Sequence, residues 1–234
     1  MQFLASRQQA HERRRRFGLL LIAIIVTFAV QGVAQPGRWE QLIVSALLAL
    51  TLLLALRVAE ARPSVVGAVA VTAGVLVAIS LVDAVTGNGN GTASRIANLM
   101  LVTLAPPAVV IGIVRTLRAR NRVTIEAVFG VLCTYMLLGM FFAFLYSAIG
   151  HISGQFFAGS APTTVSNCLY FSFTTLTTTG YGDLTAASNL GHTLSVGEAL
   201  FGQIYLVTVV ALIVGNLGRG QQPERVESAP IADA

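Results

Sequence analysis

Residues 177–183 read Thr-Thr-Thr-Gly-Tyr-Gly-Asp, with glycines at 180 and 182 on either side of a tyrosine. A strand turns successive carbonyls to opposite sides and a helix points them along its own axis, so neither aims a row of backbone oxygens at one line. Glycine lacks a Cβ and can take positive φ, which lets Gly180 and Gly182 turn neighbouring carbonyls the same way. Such a row can replace the water shell of a monovalent cation if its oxygens match that shell in distance and field strength. Thr178 opens the row and adds a hydroxyl at its inner end, while Tyr181 is expected to face away and brace it. The chain contains one copy of the run and one copy supplies one side of a cage, so four subunits around a common axis are implied.

Such backbone needs a dry, rigid surround. Hydrophobic residues make up 55% of the 234 and charged residues 11%, and the mean hydropathy is +0.75, which excludes an ordinary soluble domain. Stretches near Phe17–Ala34, Gln41–Leu56, Ser64–Val82, Ile96–Val114, Val123–Ile149 and Thr193–Leu217 are candidates to cross a bilayer core, which takes about 20 helical residues. Between the fifth and sixth lie residues 150–192, and within them Thr163–Thr177 reads as a short helix over Val165–Leu176. The fold class is therefore an all-α membrane protein: six transmembrane helices with a re-entrant pore helix and a filter between the fifth and sixth.

All 15 basic residues are arginines, and with the N-terminus inside, thirteen fall in cytoplasmic segments against Arg38 and Arg95 outside. That bias places both termini in the cytoplasm and makes the positive charge a matter of topology and anionic lipid contact, not nucleic acid. The loop Asp83–Ser94, with its Gly-Asn-Gly-Asn-Gly run, then lies outside as a flexible connection. Residues 150–192 leave and re-enter on the outer face, so the short helix enters from outside and its C-terminal end near Thr177 points its partial negative charge toward the bilayer centre. Non-helical backbone at that depth is tolerable only inside protein or along a water-filled path. Cys133 and Cys168 show no metal or disulfide spacing and read as small buried hydrophobes. The arginine-rich stretch ahead of the first span suggests a retained anchor.

From Val123 to Leu217 the chain resembles the pore module of potassium channels, whose filter loop reads Thr-Val-Gly-Tyr-Gly. Thr178, Thr179, Gly180, Tyr181 and Gly182 match that filter, with Thr179 where valine is common, and Asp183 matches the acid just outside it. The resemblance implies a homotetramer in the cell membrane that conducts potassium passively, with potassium ions in the filter, no other cofactor and no enzyme activity. Tyr170 and Phe171 match the aromatic cuff around the filter, and Thr174 stands where some relatives carry a glutamate. Gly202, 20 residues beyond Gly182, matches the family's gating-hinge glycine; a small residue for close helix packing is the alternative reading.

The six-span voltage-gated members differ at the fourth span. A voltage sensor needs several arginines inside the field, and Ile96–Val114 holds none. Arg115, Arg118, Arg120 and Arg122 follow the span and are expected in a cytoplasmic linker, where they anchor to anionic lipid. Pro106-Pro107 should kink or break the fourth span. The chain thus divides into a cytoplasmic basic tail (1–16), a four-helix membrane domain with its linker (17–122), a pore domain (123–217) and a second cytoplasmic tail (218–234), both tails reading as disordered. Glu198, an acid inside the sixth span, is a candidate for bracing the filter or sensing pH. His151 and His192 flank the pore loop and are candidates for sensing external pH.

Three other functions compete with this reading. An intramembrane serine protease needs Gly-x-Ser-Gly, and the nearest string, His151-Ile-Ser-Gly154 in the expected loop, lacks the first glycine. A non-conducting regulatory or scaffold subunit is disfavoured by the intact run. A weakly selective cation channel is disfavoured by tyrosine at 181.

Overall fold

Long apolar runs must satisfy their own backbone polar groups in lipid, and in the computed structural model of this chain they do so as helices. The structure describes residues 2–33, 38–59, 61–86, 92–120 and 125–219. Over these residues the order is α1 (Gln2–Val33), α2 (Arg38–Val58), α3 (Pro63–Thr86), α4 (Thr92–Arg120), α5 (Ile125–Ser153), α6 (Val165–Leu176) and α7 (Asn189–Arg219). Among the described residues three helices are long and apolar enough to cross a membrane, through Arg15–Val33, Pro63–Val82 and Val128–Ser153, and α2 and α4 carry the shorter apolar stretches Leu42–Val58 and Ile96–Ile111.

Several boundaries differ from the sequence expectations. Residues 2–16 are not a disordered tail but the first turns of α1; Gln, Ala, Leu and Arg are good helix formers, and a nucleated span extends through them at little cost. In the same way α4 carries Arg115, Arg118 and Arg120 inside its last turns, leaving residues 121–124, with Arg122, outside the described residues. α3 runs to Thr86 and α4 begins at Thr92, so of the expected loop Asp83–Ser94 residues 87–91 lie outside the described residues, as do residues 220–234. His151 and Ser153 belong to the last turn of α5, so the segment between the pore helices runs from 154 to 188.

Pro106 and Pro107 do not break α4. Each removes an amide hydrogen bond, at about 3 kcal/mol for an interior helical proline, but the buried stripe of α4 runs straight past them: Leu101, Val102 and Ala105 before, Ala108 and Val109 after. α4 packs extensively on both α2 and α5, and that burial outweighs the missing bonds.

Helices α1–α4 form a unit that packs through α1 and α4 on α5 and α6 of the same chain. α4 lies along α5, α1 packs on α2 and α5 and reaches α6, and α3 covers α2 and α4 from outside. Leu20 and Ile24 of α1, Leu48 and Leu52 of α2, Leu101 of α4 and Leu137 of α5 belong to one buried core. Within the four-helix unit, Ser45 of α2 contacts Ser80 of α3 at 2.8 Å and donates to Asn98 Oδ1 of α4 at 2.5 Å. This buried knot between helices is neutral.

α7 is different. Val196, Leu200, Phe201, Ile204 and Val207 are each 58–67% exposed, an apolar stripe on the side away from α6.

Candidate functional site

The site begins with the short helix that aims it. Thr164 is extended (φ −85°, ψ 159°) and its hydroxyl accepts from the Asn167 amide at 3.1 Å, capping α6. The Asn167 side chain donates to Pro162 O at 2.8 Å and locks the entry turn. Cys168, Leu169, Phe171, Ser172 and Leu176 are buried, so one face of α6 is fixed against the protein. Both cysteines are buried, as their apolar settings suggested, and neither is in a disulfide.

At the other end the chain leaves the helix without leaving its hydrogen bonds. Thr177 N–H and its hydroxyl both donate to Phe173 O (3.1 and 2.7 Å), Thr178 N–H donates to Thr175 O (2.9 Å), and Gly180 N–H reaches back to Thr174 O (3.1 Å). Beyond this anchor the backbone alternates. Thr178 (φ 56°), Gly180 (φ 53°) and Gly182 (φ 80°) are left-handed, and Thr179 and Tyr181 between them are not. Alternating hands turn successive peptide planes the same way, which is the condition for a row of carbonyls along one line. The glycines take this conformation freely. Thr178, which is β-branched, does so at a cost of about 1–3 kcal/mol, so its surroundings must hold it.

The side chains divide accordingly. Thr179 lies behind the run, its hydroxyl 2.9 Å from that of Thr177, and with Tyr181 it lines a cleft of about 430 Å³ against Phe28, Phe173 and Thr174. Thr178 turns the other way, and its hydroxyl accepts from the Gln203 side-chain amide on α7 at 2.9 Å. At the outer end Tyr170 donates to Asp183 Oδ1 at 3.1 Å, and its ring lies nearly parallel to that of Tyr181, 6.2 Å away. Phe171 points elsewhere, into a cluster with Tyr146, Phe156 and Phe157. Within one chain, Tyr170 of the two adjacent aromatics meets Tyr181. The hydroxyl of Thr174 donates within its own helix, to Phe171 O at 3.0 Å.

Two helices back the site. Tyr135 of α5 donates to Leu176 O at 3.3 Å. A Cβ on Gly202 of α7 would come 2.2 Å from that same carbonyl, so α7 crosses the end of the pore helix at a distance open only to glycine. Gly202 is therefore in close helix packing, within an uninterrupted α7. One turn outward, Glu198 is fully buried; it accepts from Tyr146 Oη at 2.7 Å and contacts Ser172 Oγ of the pore helix. Ser172 Oγ also lies 2.7 Å from Gly139 O.

The histidines are peripheral. His151 closes α5, and His192 Nε2 lies 2.8 Å from Ala186 O. That loop is pinned by Ala158 N–H to Thr185 O (2.8 Å) and Ala187 N–H to Phe156 O (2.9 Å).

Sequence reasoning missed Gln203, Ser172, Tyr146 and Tyr135. Gln203 carried a signal, a polar side chain inside an apolar span. The other three show their roles only through partners 26 to 52 residues away. Among the described residues no three His, Cys, Asp or Glu gather as metal ligands. No curated protein and no solved structure matches the chain. Residues 131–218 match the family model of ion channels, so over the helices that build this site the chain is similar to an ion channel.

Proposed function

We propose that the chain is one subunit of a potassium-selective channel that conducts passively as a homotetramer. The observation that carries this reading is the left-handed backbone at 178, 180 and 182, hung from the C-terminal end of a capped pore helix. A potassium ion loses little on leaving water when carbonyl oxygens of suitable field strength replace its shell. One chain offers one side of that shell, and fourfold symmetry supplies the rest. The apolar stripe of α7 and the ring of Tyr181, 71% exposed, form a surface for the neighbouring copies to cover.

In this reading six helices span the cell membrane, α6 re-enters from outside and both termini are cytoplasmic. The cytoplasmic arginines contact anionic lipid, and α4 does not act as a voltage sensor. The experiment is cation flux into liposomes holding the purified protein. Potassium is expected to pass far faster than sodium, and Gly180→Ala, which puts a Cβ on left-handed backbone, to abolish the flux while the oligomer still forms. Equal sodium and potassium flux would identify a weakly selective pore. No flux from an intact oligomer would identify a non-conducting subunit.

A further inference from the structure

Ser172 has one hydroxyl hydrogen, yet its oxygen lies against two others: Gly139 O of α5 and Oε1 of Glu198 on α7. A backbone carbonyl only accepts, and so does an ionised carboxylate. With Glu198 ionised, one of these contacts would set lone pair against lone pair in a site that excludes water. A carboxylic acid resolves the count. Oε1–H donates to Ser172 Oγ, Ser172 O–H donates to Gly139 O, and Tyr146 O–H donates to Oε2, so that every hydrogen has one acceptor and every oxygen a partner. Among the described residues, the other polar side chains that interact with this cluster are the hydroxyls of Tyr135 of α5 and Ser195 of α7 and the thiol of Cys168 of α6. Among the described residues no cation faces Glu198. An unpaired buried charge is costly, whereas a satisfied neutral chain is not.

We infer that Glu198 is a positioning residue that works as an uncharged hydrogen-bond donor, tying the inner helix to the pore helix and to the outer helix in one continuous chain. The filter hangs from the far end of that pore helix, so the chain fixes its depth. The flux readout below rests on the channel reading; the spectroscopic one does not.

The test compares full-length wild type with Glu198→Gln and Glu198→Ala in liposomes. Glutamine offers N–H to Ser172 and an oxygen to Tyr146, the pattern of the acid and not of the carboxylate. Wild type at neutral pH should show the infrared carbonyl band of a protonated carboxyl, absent in Glu198→Gln and shifted in Tyr146→Phe. Glu198→Gln should keep potassium flux and the potassium-to-sodium ratio within about twofold of wild type, and Glu198→Ala, which leaves the buried Tyr146 O–H without its Glu198 acceptor and Ser172 Oγ without a donor, should lower the ratio at least about fivefold. Absence of the band, or a glutamine variant as impaired as the alanine one, would overturn the inference. If wild type shows the band but passes no potassium, the channel reading fails while the protonated state stands.

Discussion

The side-chain amide of Gln203 on the inner helix donates to the hydroxyl of Thr178 at 2.9 Å, and Thr178 is the one non-glycine residue with positive φ among the described residues. The two facts belong together. A β-branched residue stays left-handed only where its surroundings over-determine it, and the Gln203 bond occupies one side of the hydroxyl while leaving a lone pair for a cation.

Gln203→Leu should therefore lower the potassium-to-sodium flux ratio by about two- to tenfold, the factor expected for one hydrogen bond. Thr178→Ser should be milder than Thr178→Val, because serine keeps the acceptor. Paired flux measurements on the three variants check the order. Equal effects of serine and valine would separate the hydroxyl from selectivity.

Gly202 tests how tightly the inner helix must pack. A Cβ there meets Leu176 O at 2.2 Å, so Gly202→Ala must push α7 away from the end of the pore helix. A cost of about 1–3 kcal/mol is expected, seen as a lower melting temperature of the detergent-solubilised oligomer and weaker selectivity. Gly74→Ala on exposed α3, where a Cβ meets nothing within 4 Å, is the control. It should be neutral or stabilising by up to about 1 kcal/mol.

Opening should not follow voltage steeply through the first four helices. Each elementary charge crossing the field contributes about 2.3 kcal/mol per 100 mV, and the interior contact among α2, α3 and α4 is the neutral Ser45–Ser80–Asn98 knot. Single-channel recordings across voltage should give an effective gating charge below about one. A steep open-probability curve that survives Ser45→Ala would place the sensor elsewhere in the chain.

The α7 stripe should be the assembly surface. Ile204, 63% exposed in the single chain, would be buried between subunits. Ile204→Asp should leave the purified protein monomeric in size-exclusion light scattering, since an unpaired carboxylate in an apolar contact is expensive. An unchanged tetramer would move the interface off this face.

The helix α6 was legible to its last residue because its signals are local: a 12-residue amphipathic run and a glycine-alternating exit. The glycines announced their positive φ in the same way. Thr178 did not, since its own preference is against the conformation it holds. Glu198 was visible as an acid in an apolar span, but its hydrogen-bond chain joins positions 139, 146, 172 and 198 on three helices, which only the packing brings together. Pro106-Pro107 do not break α4 for the opposite reason: the local rule is sound, and the burial on either side of the pair outweighs it. Phe171 was grouped with Tyr170 through the resemblance to the aromatic cuff, yet neighbours on a helix face different ways, and within the chain its ring belongs to the Phe156–Phe157 cluster.

The most direct measurement is the anomalous scattering of rubidium, a close mimic of potassium, bound to the assembled particle. A column of sites on a fourfold axis, level with residues 178–181 and lost in Gly180→Ala, is the predicted result. A particle with no such axis, or rubidium bound only at side chains away from it, would contradict the account.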